Sequence, residues 1–95
     1  MRLELSRRAQ ADLDDIRDYS AAEFGAERAV AYLEAVESAF RRIVDFPEIG
    51  AVHPALRPLT RSLGCQRHRI FYEVGSDTIL IVRILHKAMD VERHL

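Results

Sequence analysis

The chain has 95 residues, of which 48% are hydrophobic and 31% are charged, and its formal net charge is −1. This size and composition predict one globular domain over residues 1–95 and exclude disordered and collagen-like classes. They also exclude a membrane protein, because every apolar run, residues 79–82 among them, is far shorter than the ~18 residues that span a bilayer.

The N-terminal half predicts a short strand followed by two helices. Leu3 and Leu5 alternate with charged residues, as in a strand, and Ser6 can cap the helix that follows. Gly25 separates two helical stretches, and Pro47 cannot continue the second. So short a connection allows only an antiparallel helical hairpin, whose two apolar stripes would cover a sheet. The stretches are residues 7–24, with the stripe Ala9, Leu13, Ile16, Ser20 and Phe24, and residues 26–46, with the stripe Val30, Leu33, Val36, Phe40 and Ile43.

The C-terminal half predicts the strands of that sheet. Residues 47–58 contain all three prolines and Gly50, which indicates an irregular crossing loop. Residues 59–64 predict an edge strand, and the tail after Leu85 predicts a loop and one helical turn that Asp90 caps. The expected fold class is α+β: an N-terminal strand and an antiparallel helical hairpin packed on a small, mainly antiparallel sheet, in the order β-α-α-β-β-β.

Residues 68–85 read as two apolar strands around a loop of Gly75, Ser76 and Asp77, which is typical of a β-hairpin. With those three loop residues, Arg69 lies directly opposite Arg83. Like charges that face each other across strands are destabilising, so this face should meet water or an acidic partner, and the other face should meet the helices. The predicted pairs are Val74 with Thr78, Tyr72 with Leu80, Ile70 with Val82, His68 with Ile84 and Arg69 with Arg83.

Several polar residues are of types that form metal or catalytic sites. The four histidines lack the HxxxH or HExxH spacing of metal ligands, and the single Cys65 adds no ligand and excludes an internal disulfide, so no metal or cofactor is expected. The aspartates at 12, 14, 15 and 18 fit a solvated helix face better than an acid/base site, and Cys65 fits an inert turn residue. The N-terminus has no apolar signal-peptide core, which predicts a cytoplasmic protein.

The basic residues of the sheet half leave two interpretations open. Residues 57–95 hold seven basic and four acidic side chains, a charge of +3 that is small for a nucleic-acid binder and suits an acidic protein equally well. One interpretation is a partner-binding face; the other is a ribonuclease in which arginines clamp a phosphate and His86 or Lys87 moves protons. The candidate contact residues are Arg61, Arg69, Phe71, Ile81, Arg83, His86, Lys87 and Met89.

The segments RSLGCQRHRIFYEV, TILIVRILHKAMD and ERHL, in this order and at these spacings, resemble the ParE branch of the RelE/ParE toxins of type II toxin–antitoxin modules. The resemblance extends over essentially the whole chain. It implies a toxin that a ParD-like antitoxin wraps and silences in a hetero-oligomer. It also implies action on DNA gyrase, by stabilising its cleaved-DNA state, without catalysis and without sequence-specific binding to nucleic acid.

Two alternatives remain beside that implication. The RelE branch cleaves ribosome-bound messenger RNA with lysines, arginines and usually a C-terminal tyrosine, whereas here Lys87 is the only lysine and no tyrosine follows Tyr72. Since histidine can transfer protons in place of tyrosine, His86 keeps this alternative open. The third possibility is an inactive toxin-like module that only binds an antitoxin and assists repression of its operon.

Overall fold

The computed structural model describes all residues, Met1 to Leu95, as one five-stranded mixed sheet with two helices packed on one face. This is the predicted α+β architecture with one additional strand. Neither long helix carries an apolar stretch that could cross a membrane. The elements are β1 (Arg2–Leu5), α1 (Arg7–Phe24), α2 (Ala26–Asp45), β2 (Ala51–His53), β3 (Thr60–Cys65), β4 (His68–Val74), β5 (Thr78–His86) and α3 (Val91–His94).

The helical hairpin begins and turns where the sequence predicts. The Ser6 hydroxyl accepts a hydrogen bond from the Ala9 N–H at 3.0 Å and donates to the Val82 carbonyl at 2.7 Å, so the N-cap also fastens α1 to β5. Gly25 takes a φ of 89° between the helices, in a region where a side chain would be strained. The hairpin is thus set by local capping and by one glycine.

The sheet has the strand order β1-β5-β4-β3-β2, with β1 parallel to β5 and all other pairs antiparallel. The predicted register of the main hairpin is wrong. Val74 pairs with Ile79, and a bulge at Phe71/Tyr72 moves the pairing by one more residue, so that Arg69 faces Leu85 and Arg83 faces Phe71. The two arginines therefore do not oppose each other.

Burial of isoleucine explains this register. The observed register turns Ile79, Ile81 and Ile84 of β5 toward the helices, where the predicted register would have placed Leu80 and Val82. Branched apolar side chains fill the space between sheet and helices, and moving them to the other face would forfeit that burial. The core is formed by these residues with Ala9, Ile16, Val36, Ala39, Phe40, Ile43, Cys65, Ile70 and Tyr72.

Two other local predictions need correction, and a third is confirmed. The crossing loop contains β2, which pairs with β3, so β3 is an inner strand rather than the edge. The helical stripes are shorter than predicted, because Phe24 and Val30 are 48% and 55% exposed near the tip of the hairpin. The closing turn is confirmed as α3, where the Asp90 carboxylate accepts from the Glu92 N–H at 3.1 Å.

A buried tyrosine fastens the crossing loop to the sheet. The Tyr72 hydroxyl donates to the Pro47 carbonyl and accepts from the Gly50 N–H, both at 2.8 Å. A Cβ at Gly50 would lie 2.6 Å from the Tyr72 oxygen, so only glycine fits there. Burial raises the pKa of Tyr72, which keeps the hydroxyl protonated and able to donate.

Candidate functional site

A concave surface lies between the helical hairpin and the end of the sheet where β3 turns into β4. It has a volume of about 670 Å³. Its helical side carries Asp15, Tyr19 and Phe24 from α1 and Arg28 from α2. We call it the imidazole groove and define it by Tyr19, Phe24, Arg28, Tyr32, Arg67, His68 and His86.

A hydrogen-bonded chain forms the sheet side of the imidazole groove. The Arg67 N–H donates to the Tyr32 hydroxyl oxygen at 3.1 Å, and that hydroxyl lies 2.6 Å from Nδ1 of His68. Burial raises the pKa of Tyr32, so its proton is retained. Since the hydroxyl oxygen already accepts from the Arg67 N–H, we assign this proton to the bond with His68. Burial, and then the neighbouring His86, lowers the pKa of His68, which favours the neutral ring that accepts this bond.

His86 completes the groove as the cross-strand neighbour of His68. The two ring centroids are 5.4 Å apart with the planes nearly perpendicular. Nδ1 of His86 lies 3.1 Å from the Ala88 backbone nitrogen, whose only role is that of a donor. With the Tyr32 proton assigned to His68, Nδ1 of both histidines accepts a hydrogen bond, which leaves Nε2 of each ring as the donor.

The opposite side of the sheet, which we call the outer face, is defined by Ser62, Arg69, Phe71 and Leu85. Ser62 Oγ lies 2.7 Å from Nε2 of His53, and one Arg69 nitrogen approaches the same oxygen at 3.5 Å. Phe71 and Leu85 are buried, although the helices lie on the other face of the sheet. The His53 ring lies against Phe71 with centroids 5.3 Å apart, and the C-terminal tail reaches the neighbouring Arg83.

Arg83 joins the tail, α1 and β5 in one cluster. Its guanidinium makes two hydrogen bonds to the Asp12 carboxylate, at 2.7 and 2.8 Å, and a third to the His94 carbonyl at 2.8 Å. The same carboxylate accepts the Ile84 N–H at 2.9 Å. The hydrogen bond to Asp12 raises the pKa of Arg83 above its usual value, so the arginine stays charged.

The structure does not bring the sequence-predicted contact residues into one site. Ile81 is 0% exposed in the core and Arg83 is 9% exposed in its ion pair, so their predicted place on an open recognition face is wrong. Phe71 is on the outer face as predicted, but it is covered. Arg61 points to the helix side, where it donates to the Gly50 carbonyl at 2.9 Å.

The remaining predicted residues are exposed but lie on different surfaces. Arg69 is on the outer face, and Nζ of Lys87 extends over Gly64, the residue opposite Arg69. His86 is in the imidazole groove on the other side of the sheet, and Met89 is exposed in the turn after β5. Their contacts with a partner stay predictions.

Sequence reasoning missed Tyr32 and misjudged Asp12. Tyr32 stands beside the predicted stripe residue Leu33, and only its position opposite His68, 36 residues away, gives it a role. Asp12 was grouped with solvated aspartates, yet it pairs with Arg83 across 71 residues. No three His, Cys, Asp or Glu side chains gather as metal ligands, and burial raises the pKa of the Cys65 thiol, which makes it less reactive.

Comparisons with known proteins agree with the sequence resemblance. A sequence model described as the ParE toxin of the type II toxin–antitoxin system parDE matches residues 3–91. Toxin ParE1 of Mycobacterium tuberculosis is 40% identical over 92 residues, which cover 96% of this chain and 94% of that protein. Toxin ParE1 of Caulobacter vibrioides is 38% identical over 91 residues, with the same coverage of both chains.

The fold has a counterpart among solved structures. A chain from a structure described as the chromosomal ParDE TA system from P. aeruginosa superposes with a TM-score of 0.77 and 27% identity. The superposition covers 90% of this chain and 95% of that chain. With the family match over almost the full length, these similarities show that the chain belongs to the ParE toxin family of type II toxin–antitoxin systems.

Proposed function

We propose that this protein is a ParE toxin that acts in the cytoplasm on DNA gyrase, stabilises the cleaved-DNA state of that enzyme, and is silenced by a ParD-like antitoxin. The observation that carries the proposal is the family match over residues 3–91. The similarity to a chain from a ParDE system supports an antitoxin as the partner. In this proposal the toxin acts by binding and needs no cofactor.

The outer face offers the chemistry that an acidic antitoxin segment needs. Arg69 and Lys87 are exposed there, and the same face holds the buried apolar side chains of Phe71 and Leu85. Met89, two residues after Lys87, is an exposed apolar side chain in the turn after β5. An amphipathic segment could pair its carboxylates with the two cations and its apolar side with Met89, which is the complementarity that specific protein interfaces use.

The geometry does not assemble the ribonuclease site that the sequence suggested. The arginines and the histidine proposed to cleave a phosphodiester would have to converge on one phosphate. Instead, Arg83 is neutralised by Asp12, Arg61 is bonded to backbone carbonyls, and His86 lies across the sheet from Arg69. The inactive-module alternative predicts antitoxin binding without growth arrest.

The experiment that tests the proposed activity uses the full chain freed of antitoxin in two parallel assays. One assay follows gyrase supercoiling and cleaved DNA, and the other maps cuts in messenger RNA during translation. We expect inhibited supercoiling, accumulated cleaved DNA and intact message, all reversed by the antitoxin. Cut message with unaffected gyrase would establish the ribonuclease instead, and no effect in either assay would leave the inactive module.

The antitoxin surface is tested separately with charge reversals. Arg69→Glu and Lys87→Glu should each weaken antitoxin binding about tenfold or more, because they place a negative charge against an acidic partner. The matched control is Arg8→Glu, at an exposed position on α1 away from the outer face. Equal loss in the control would show that net charge, not this surface, governs the affinity.

A further inference from the structure

We propose that the imidazole groove is a binding site for a mononucleotide, with the phosphate held by Arg67 and the two histidines and the base against Tyr19 and Phe24. This function is separate from action on gyrase. The groove volume of about 670 Å³ falls within the ~300–1,000 Å³ of typical small-molecule sites. It is also formed largely by side chains that the core does not need.

The hydrogen-bonding pattern at the sheet end selects an anion. Both Nδ1 atoms of His68 and His86 already accept hydrogen bonds, from the Tyr32 hydroxyl and from the Ala88 N–H. Each ring can therefore offer only an Nε2–H to a ligand, and Arg67 offers only donors. These three side chains offer donors to a ligand, which fits a phosphate oxygen.

The charges around the groove agree with this selection. Arg28 and Arg67 line it with the two histidines, and Asp15 is the only carboxylate among its lining residues. Beyond the lining, Asp12 acts electrostatically on His68, and Cys65 acts on Tyr32. The cations lie on α2 and the β3–β4 turn, and they outnumber the one carboxylate of the lining, Asp15 of α1.

The helical wall provides a surface for a flat ring. Tyr19 and Phe24 are 63% and 48% exposed, with ring centroids 6.3 Å apart in an edge-to-face arrangement. Neither ring belongs to the core cluster. Exposed aromatic rings beside cations are what nucleobases stack on, and such stacking tolerates any base.

A mononucleotide fits this arrangement better than a nucleic-acid strand or an acidic peptide. The donors are concentrated at one end and the aromatic rings line the helical wall, which matches one compact anionic group attached to one flat ring. A strand would need a continuous basic track, but residues 1–56, which include both helices, hold eleven acidic and only seven basic side chains. An acidic peptide carries carboxylates along its length and would need cations along the groove.

The test is a nuclear magnetic resonance titration of the full-length toxin, freed of antitoxin, with AMP, inorganic phosphate and adenosine as separate probes. We expect AMP to bind with a Kd of about 1 mM or tighter and to shift resonances of Arg67, His86 and Tyr19. Phosphate should shift the Arg67 end alone, and adenosine should bind at least about tenfold more weakly than AMP. No shift with AMP, or adenosine binding as tightly as AMP, would overturn the proposal.

Variants and competitors locate the site. Arg67→Gln and Tyr19→Ala change exposed side chains and should each weaken AMP binding about fivefold or more, whereas Arg8→Gln, outside the groove, should not. Equal weakening by Arg8→Gln would overturn the proposal in favour of general charge attraction. Stronger binding of a hexaglutamate peptide or of an oligothymidylate at the same resonances would also overturn it, and would assign the groove to a peptide or to a nucleic-acid strand.

Discussion

Two side-chain pairs join the helical hairpin to the sheet, and they differ in chemistry and in surroundings. Asp12 of α1 holds Arg83 of β5 through charged hydrogen bonds of 2.7 and 2.8 Å. Tyr32 of α2 donates to His68 of β4 through a neutral bond of 2.6 Å. The first contact is nearly closed to water, whereas the second lines the imidazole groove. The Asp12–Arg83 contact therefore maintains the fold, whereas the Tyr32–His68 contact is placed to respond to ligand and pH.

Breaking the charged contact should have the largest effect. Asp12→Ala leaves the Arg83 guanidinium and the Ile84 N–H without their acceptor, and both groups are largely buried. Losing one partner of a buried ion pair costs about 3–5 kcal/mol, so we expect a loss of that size in the free energy of unfolding in urea. Asp14→Ala is the matched control, because its contact with Arg17 is exposed at 3.6 Å and should contribute under about 1 kcal/mol. Similar losses in both variants would contradict the comparison.

Removing the buried hydroxyl of Tyr72 should cause the second-largest loss of stability. Tyr72→Phe removes one oxygen but leaves the ring, so the Gly50 N–H and the Pro47 carbonyl lose their partner without creating a large cavity. A buried donor without an acceptor costs about 1–3 kcal/mol, and the midpoint of urea unfolding should fall accordingly with an unchanged slope. A loss under about 0.5 kcal/mol would indicate that water replaces the hydroxyl there.

The elements of the hairpin were predictable because their signals are local. Ser6, Gly25 and Pro47 set the helix ends through capping and backbone restrictions that involve only a few neighbouring residues. The loop at residues 75–77 was also read correctly, since β4 ends at Val74 and β5 begins at Thr78. Local rules therefore predict the two long helices, the main strands and their order in the chain.

The register and the site depend on contacts that no local rule contains. The β4–β5 hairpin pairs Val74 with Ile79 and bulges at Phe71/Tyr72, because this arrangement buries three isoleucines of β5 against the helices. One displaced pairing moved Ile81 from a predicted recognition face into the core. Burial against distant elements decides such positions, so they follow only from the assembled fold.

The neutral contact at the groove should be weaker than either buried contact. Tyr32→Phe removes the hydrogen bonds from the Arg67 N–H and to His68, but Arg67 is exposed and its N–H can bind water instead. We therefore expect a loss of about 1 kcal/mol in the free energy of unfolding. A loss equal to that of Asp12→Ala would contradict the distinction between the charged contact and the neutral contact.

The smallest effect is a pH dependence of stability that only the Tyr32–His68 contact should show. The pKa of His68 in the folded protein lies below its ordinary value of 6.5, first because the ring is buried and then because His86 is near. Below that ordinary value the unfolded chain binds a proton that the folded protein resists. This contribution to stability is therefore complete above about pH 7 and is lost as the pH falls below about 6.5 toward the folded pKa.

Urea unfolding of the wild type and of His68→Asn at about pH 7.5 and about pH 5.5 measures this contribution. The wild type should lose more stability between the two pH values than the variant does, because groups common to both proteins cancel in the difference. Arg83 contributes nothing to the change, since its raised pKa keeps it charged throughout this range. If the two proteins lose equal stability, His68 is not the group that resists protonation. The Tyr32–His68 contact is then no more sensitive to pH than the Asp12–Arg83 contact.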